Sequence, residues 1–383
     1  PYIKVNSCEQ ALKDIAEHYR RSLDIKVVGI TGSVGKTSTK EMIASVLSQR
    51  FSVLKTEGNF NNEIGLPLTV FKIREEHQVA VLEMGISGFG EMTRLARIAR
   101  PDICVITNIG VAHIENLGSR DGILKAKTEM FTYMNPEGTI ILNGDDDKLR
   151  AFVPQNGIQP LYFGLDSSCP YHAQDVKNRG LKGTDAEFVT PGSTFRAHIA
   201  IPGAHMVHNA LAGIAVGYAL GMTDEEIAKG IEANVPIAGR NNLIETGRYT
   251  VIDDCYNANP VSTQASIDVL SFADTRKVAI LGDMFELGEK EKEMHYETGK
   301  HAAEKGIDVL IGIGTLSGET ARGAEETAAH TGKPITVLHF NTKQDFFAAA
   351  ESVLKDGDTI LVKASHGMEF PEIVEWLKQR SNT

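Results

Sequence analysis

Four cysteines in 383 residues, Cys8, Cys104, Cys169 and Cys255, lie far apart with no Cys-x-x-Cys pair. That spacing argues against a zinc ribbon or a disulfide-stapled scaffold and fits a reducing compartment holding four buried thiols. Basic charge is short as well: 39 Lys and Arg stand against 50 Asp and Glu, a net charge of −11. Such a balance gives no general attraction for nucleic acid or an anionic membrane, so a phosphate-bearing ligand has to be held by a few local cations and backbone amides. No apolar run approaches the ~18 residues of a membrane span. The first ten residues have neither the basic nor the apolar region of a signal peptide. The expectation is a cytoplasmic, monomeric protein without membrane insertion. No internal repeat or low-complexity tract is seen.

What is present is an alternation of short β-branched runs and amphipathic helical stretches, the pattern of parallel sheets covered by helices. In the first half it predicts strands at Ile25–Ile30, Ser52–Lys55, Val79–Glu83, Ile103–Asn108 and Thr139–Leu142. A helix is predicted over Thr37–Arg50 that buries Met42, Ile43, Val46 and Leu47. Between Leu161 and Ile201 the apolar residues fall at every second position, predicting a small antiparallel subsheet. A helix at His208–Leu220 follows, then one opened by the capping box Thr223-Asp-Glu-Glu226. Val235–Gly239 reads as a linker, after which strands at Val251–Asp253, Val278–Leu281, Val309–Ile313, Thr336–Phe340 and Thr359–Lys363 resume the alternation. The charged stretch Glu286–Glu297 is the solvated face of a helix. The fold class is α/β: a domain with a mostly parallel sheet over residues 1–235, and a C-terminal Rossmann-like domain over 236–383.

The sharpest local signal is Gly29-Ile-Thr-Gly32-Ser33-Val-Gly35-Lys36-Thr37-Ser38, set between an apolar strand and an amphipathic helix. In that context glycines let backbone amides cradle phosphates at a helix N-terminus, with the lysine at the terminal phosphates and the hydroxyl at magnesium. The strict G-x-x-x-x-G-K-[ST] spacing asks for glycine at position 30, where this chain has Ile30, so the loop is a variant. The competing reading is a glycine-rich turn with an incidental lysine. The loop alone does not separate GTPase, kinase, motor and ligase. A GTPase is disfavoured because Thr107-Asn108-Ile-Gly lacks an N-K-x-D signal, and no such tetrapeptide occurs elsewhere.

Further motifs follow in a fixed order. They are Thr56-Glu-Gly-Asn59-Phe-Asn61-Asn62-Glu-Ile-Gly65-Leu-Pro67, Leu82-Glu83-Met-Gly85, Thr107-Asn108-Ile-Gly-Val-Ala-His113 and Lys125-Ala-Lys127-Thr-Glu-Met-Phe131. Beyond them come Gly203-Ala-His205-Met-Val-His-Asn209, Gly239-Arg240, Asp253-Asp254-Cys-Tyr256-Asn257-Ala-Asn259-Pro260 and Leu281-Gly282-Asp283-Met284-Phe-Glu286-Leu-Gly288. Together they resemble the Mur ligase family of ATP-dependent amide-forming enzymes over nearly the whole chain. The segments at 58–67, 253–260 and 281–288 look most like the branch that adds D-alanyl-D-alanine to UDP-N-acetylmuramoyl-tripeptide in peptidoglycan precursor synthesis.

The resemblance implies that ATP converts a carboxylate to an acyl phosphate, which the amine then attacks, with ATP and two Mg2+ ions taking part. It implies that Gly32, Ser33, Gly35, Lys36, Thr37 and Ser38 hold the phosphates, and that Thr37 and Glu83 hold the first magnesium. His113 and a carbamylated Lys127 hold the second; Lys127 is preferred to Lys125 because the family lysine precedes three residues and then an aromatic, here Phe131. Arg240 reaches the γ-phosphate, Asn209 contacts adenine, and Asp254, Tyr256 and Asn257 line the nucleotide. Asn59 and Asn62 contact the muramoyl peptide or its activated carboxylate, and Lys363, Ser365 and His366 lie near the incoming dipeptide. Many relatives carry arginine at the place of His366, so a permanent cation becomes a titratable group here. Taken from the residues alone, blander roles compete: Glu83 as a solvated strand end, His113 as a structural histidine, Lys127 as an exposed helix lysine. Arg240 could equally be a hinge arginine, Asn209 a helix cap, and Asn59 and Asn62 turn formers.

Family members carry an additional N-terminal domain that grips the uridine nucleotide, whereas only 28 residues precede Gly29. Pro1–Val5 reads as a remnant of its last segment and Cys8–Arg21 as a lead-in helix. Two other functions stand beside the ligase: a Mur-like enzyme adding glutamate to a folate or polyglutamate chain, and an ATP-binding fragment without ligase activity.

Overall fold

The computed structural model describes residues 2–154 and 157–380 and divides into two compact units. The first comprises Pro1–Lys177, Asp185–Ile199 and Met206–Asn234; the second comprises Asn178–Thr184, Ala200–His205 and Val235–Thr383. Residues 178–184 and 200–205, placed in the first domain by the sequence pattern, thus group with the second unit. Of the expected remnant Pro1–Val5, Pro1 lies outside the described residues, and residues 2–5 carry no helix or strand.

One nine-stranded sheet organises the first unit. Its strands are β1 (Lys26–Thr31), β2 (Val53–Lys55), β3 (Val79–Glu83), β4 (Ile103–Ile106), β5 (Thr139–Asn143), β6 (Leu161–Gly164), β7 (Tyr171–Asn178), β8 (Thr184–Val189) and β9 (Thr194–Ile199). They lie in the order β2-β3-β1-β4-β5-β6-β7-β8-β9, and every neighbouring pair from β2 through β7 is parallel. The separate antiparallel subsheet expected at 161–201 is therefore corrected: those strands extend the main sheet, and β6–β7 pair in parallel. The alternation of β7–β9 is nonetheless real, because connections of only a few residues, such as the Thr190–Ser193 turn, permit antiparallel neighbours alone. β4 is shorter than predicted because Thr107 and Asn108 turn away to hold a neighbouring loop.

Apolar side chains of β1, β3, β4 and β5 pack with those of the flanking helices into one core. The helix after β1, Lys36–Leu47, buries Met42, Ile43, Val46 and Leu47 as its periodicity requires. Helix Cys8–Arg21 begins where the Ser7 hydroxyl accepts from the Gln10 amide, and ends near Arg20, whose guanidinium donates to the carbonyls of Leu23, Ile25 and Ala99. The predicted capping box is formed, Thr223 and Glu226 each satisfying the other's backbone amide at the start of helix Asp224–Glu232.

The second unit is a six-stranded sheet of β10 (Asn242–Glu245), β11 (Thr250–Asp253), β12 (Lys277–Gly282), β13 (Val309–Ile313), β14 (Thr336–Phe340) and β15 (Thr359–Lys363), in the order β10-β11-β15-β12-β13-β14. All pairs are parallel except β10–β11, an edge hairpin. β10 was not foreseen, since Asn-Leu-Ile-Glu has only two apolar residues and no alternation. Two apolar clusters, on the two faces of this sheet, complete the unit.

The helix that opens at the phosphate loop is seated by Gly230: a Cβ there would lie 2.3 Å from the Val46 Cα, and the Ser45 hydroxyl donates to the Gly230 carbonyl at 2.7 Å. Gly230→Ala is expected to destabilise the first unit by about 1–3 kcal/mol, the usual cost of overpacking. A denaturant midpoint unchanged from wild type would show that the two helices do not depend on this approach.

Candidate active site

The phosphate loop follows β1 where the strand order turns, with β3 on one side and β4 on the other. In open parallel sheets ligands bind at this point, outside the carboxyl ends of the strands. Gly32 has φ 153°, and a Cβ there would fall 1.9 Å from the Thr107 hydroxyl oxygen. Gly35, at φ 83°, opens helix Lys36–Leu47 with no side-chain cap, so the positive end of the helix faces the loop's concavity. The loop is braced from the end of β4. The Ser33 amide donates to the Asn108 carbonyl, the Val34 amide to Asn108 Oδ1 at 2.9 Å, and Asn108 Nδ2 and the Thr107 hydroxyl donate to the Val34 carbonyl. Ser33 Oγ accepts from the Gly110 amide. The Lys36 ammonium folds back onto the Gly32 carbonyl at 2.8 Å.

Glu83, the last residue of β3 and the register partner of Ile30, is 2% exposed. Its Oε1 accepts from the Thr37 hydroxyl at 3.3 Å and from Asn61 Nδ2 at 2.8 Å; its buried Oε2 has no hydrogen-bond partner. A hydroxyl and a carboxylate converging beside a phosphate cradle match a magnesium site, in which the ion keeps water and phosphate oxygens and takes one or two protein ligands. No group of three or more His, Cys, Asp or Glu among the described residues could hold a metal ion, and magnesium does not require one. Asn61 was missed by sequence reading. Asn59, Asn61 and Asn62 are alike in sequence, and only the fold separates them. The Asn62 side chain accepts from the Ile64 and Gly65 amides and shapes the start of helix Gly65–Val70, while the Asn59 carbonyl accepts from the Asn61 amide.

Lys127 lies in helix Arg120–Thr128 with 2% of its surface exposed, and its ammonium has no hydrogen-bond or ion-pair partner among the described residues. Burial, with the like charge of Lys36 added, holds its pKa far below the ordinary value of 10.5. A neutral, unpartnered amine is the form that can add CO2. Lys125, its competitor, instead stands over the Phe89 ring at 5.8 Å. His113 sits beyond β4 at φ 59°, a left-handed conformation uncommon outside glycine, and starts helix Ile114–Leu117. Asn209 does not cap its helix: it lies inside His205–Ala219, accepts from the Thr39 hydroxyl at 2.9 Å, and thereby reaches the first turns of the phosphate-loop helix.

In the second unit the Arg240 guanidinium lies 4.2 Å over the Tyr256 ring, and the Tyr256 and His366 rings are 5.2 Å apart. Asp253 and Asp254 accept from the Gly239 and Asn241 amides and so set the approach to Arg240. Lys363 is 2% exposed, its ammonium donating to Asp254 Oδ2 at 2.5 Å and to the Asn257 carbonyl at 3.1 Å. Burial lowers its pKa against the opposing pull of Asp254. Lys363 and Asp254 thus brace the 254–257 segment from within. Asn257 Oδ1 accepts from the Ala258 and His366 amides, and Ser365 Oγ accepts from the Phe285 amide. Ser365 and His366 thus join the motif at 281–288 to the one at 253–260.

Residues 30–217 match the Mur ligase middle domain and residues 239–366 the Mur ligase, glutamate ligase domain. The chain belongs to the Mur ligase family, which forms C–N bonds with ATP. It is 40% identical over 376 residues, 97% of this chain and 80% of the relative, to the UDP-N-acetylmuramoyl-tripeptide–D-alanyl-D-alanine ligase of Bacillus subtilis (strain 168). The structure is similar to MurF from Acinetobacter baumannii, with a TM-score of 0.89, 30% identity and coverage of 99% of this chain and 82% of that one. It is similar also to MurF ligase from Thermotoga maritima in complex with ADP, with a TM-score of 0.85, 30% identity and coverage of 99% and 85%. No helix among the described residues is long and apolar enough to cross a membrane.

The depressed pKa of Lys127 has a consequence for stability. Between its folded value and 10.5 the unfolded chain holds a proton that the folded chain lacks, so stability rises with pH in that window. In CO2-free buffer Lys127→Met is expected to be more stable than wild type at pH 7, and the difference should shrink as pH rises toward 10.5, by at most about 1.4 kcal/mol per pH unit. Urea midpoints measured across pH check this; a difference independent of pH would contradict it.

Proposed function

We propose that the chain joins D-alanyl-D-alanine to UDP-N-acetylmuramoyl-tripeptide, using ATP to activate the tripeptide carboxylate. The observation that carries this reading is the likeness to D-alanyl-D-alanine-adding ligases along 97% of the chain, through both units. The phosphate loop supports the use of ATP. Backbone amides of residues 35–38 and the Lys36 ammonium would grip the phosphates, Lys36 exchanging the Gly32 carbonyl for a phosphate oxygen. Thr37 and Glu83 would hold a first magnesium, and His113 with a carbamylated Lys127 a second. Bound there, magnesium neutralises charge between the phosphate and the carboxylate and keeps the oxygens in line.

Chemically, a carboxylate oxygen attacks the γ-phosphorus and ADP leaves, giving an acyl phosphate. The dipeptide amine then attacks the carbonyl carbon, and phosphate leaves with the oxygen it received. Arg240, fixed against Tyr256, offers a planar cation for the transferred charge. Asn209 stays beside the phosphate-loop helix as the adenine contact, and Tyr256 and Asn257 remain the further candidates for lining the nucleotide. Asn59, Ser365 and His366 remain the substrate-contact candidates, with Asn62, Asp254 and Lys363 holding their surroundings in place. For Lys127, addition of CO2 to the neutral amine releases one proton and turns a buried neutral group into an anion that could hold a metal ion.

Phosphate release from ATP is expected to require both UDP-N-acetylmuramoyl-tripeptide and D-alanyl-D-alanine and to yield the pentapeptide by mass. Release with folate and glutamate instead would move the chain to the folylpolyglutamate branch, and ATP binding with no product would leave it a nucleotide-binding fragment. Lys127→Ala should lose activity by about 10²–10³-fold, the scale of removing one preorganised charge-stabilising group, and recover part of it with added short carboxylates. Full activity in that variant would remove Lys127 from the mechanism.

A further inference from the structure

One buried cation beside the phosphate loop has no part in the mechanism above. Lys40 lies one helical turn beyond Lys36 and is 1% exposed, among the largest fully buried side chains of the protein. Its ammonium donates to the Thr56 carbonyl at 2.6 Å, pairs with Glu41 Oε1 at 3.1 Å, and lies 3.9 Å from Glu83 Oε2. That Glu83 oxygen is the buried one with no hydrogen-bond partner, while Oε1 faces Thr37 and Asn61. Thr56 links the same groups a second time, since its hydroxyl accepts from the Glu83 amide at 3.0 Å. The helix of the phosphate loop, the chain just after β2 and the end of β3 therefore meet at one ammonium group.

A buried carboxylate without compensating charge is strongly disfavoured. Glu41 does not compete for the whole of the Lys40 charge, because it also pairs with Lys55 at the surface. We infer that Lys40 is a positioning residue for the metal site: it fixes Glu83 from the Oε2 side and turns Oε1 toward the Thr37 hydroxyl, where the magnesium of the nucleotide is held. This rests on the reading of Thr37 and Glu83 as metal ligands given above. It assigns Lys40 no contact with phosphate or substrate. Lysine is almost never fully buried unless paired, and its burial here is the observation that needs a cause.

The test uses the full chain with Lys40→Met and Lys40→Gln, the second keeping a hydrogen-bond donor for the Thr56 carbonyl without the charge. Three quantities are measured: Mn2+ binding in the presence of a non-hydrolysable ATP analogue, binding of that analogue in EDTA, and the Mg2+ dependence of phosphate release. Loss of a group that orients a metal ligand typically weakens metal affinity about 10–100-fold. That weakening is expected in both variants, together with a raised Mg2+ requirement, while metal-free nucleotide binding stays within about twofold of wild type, as the phosphate cradle itself is untouched. Should Lys40→Met fail to fold, as its thermal melt would reveal, Lys40→Gln carries the comparison. Unchanged Mn2+ affinity in a folded variant, or equal loss of nucleotide binding with and without metal, overturns the inference. The binding measurements need no peptide substrate, so wild type that binds metal and nucleotide normally but makes no pentapeptide would overturn the proposed substrate and leave the role of Lys40 standing.

Discussion

The chemistry of the first unit depends on one constraint: a loop with almost no side chains of its own must hold a single shape. Gly32 and Gly35 let the backbone adopt that shape, and Thr107 and Asn108 keep it there through four hydrogen bonds to Ser33 and Val34. The brace comes from the strand next to β1, so the parallel pairing of β1 with β4 fixes both partners at the same end of the sheet. On the other side, the pairing of β1 with β3 brings Glu83 level with Ile30 and within reach of Thr37. The braced loop and the meeting of Thr37 with Glu83 are both consequences of three adjacent parallel strands ending together.

Much of this was legible in the sequence because strand, loop and helix each carry a strong local signal. β3, β13, β14 and β15 fall on the expected residues, and the capping box at Thr223 and the helix at Cys8–Arg21 are present as read. What escaped depends on tertiary neighbours. β10 is held by its pairing with β11 and not by its own pattern. β7–β9 alternate as a half-exposed sheet should, yet nothing local says that β6 ties them to the main sheet in parallel. In the site, Asn61 and Lys40 look no different in sequence from Asn62 and Lys125. Their functions come from where β3 ends.

The two units also share a way of placing charge. In the first, Lys40 stands behind Glu83; in the second, Lys363 stands behind Asp254 and the Asn257 carbonyl. Each is a lysine almost wholly out of water, held by carboxylate and backbone-carbonyl oxygens. Burying such a pair contributes little net stability, since desolvation offsets the Coulomb attraction. Its benefit lies in fixing a short segment whose other groups must meet a ligand. Lys127 is the contrasting case, a buried lysine with no such partner among the described residues, and the proposal that it takes up CO2 rests on that difference.

The most direct test of the central claim, that ATP activates the tripeptide carboxylate, follows the oxygen. UDP-N-acetylmuramoyl-tripeptide labelled with 18O in its terminal carboxylate is turned over with ATP and D-alanyl-D-alanine, and the released phosphate is analysed by mass spectrometry. An acyl phosphate requires one labelled oxygen to leave with each phosphate. Unlabelled phosphate alongside pentapeptide formation would contradict the mechanism drawn from this site.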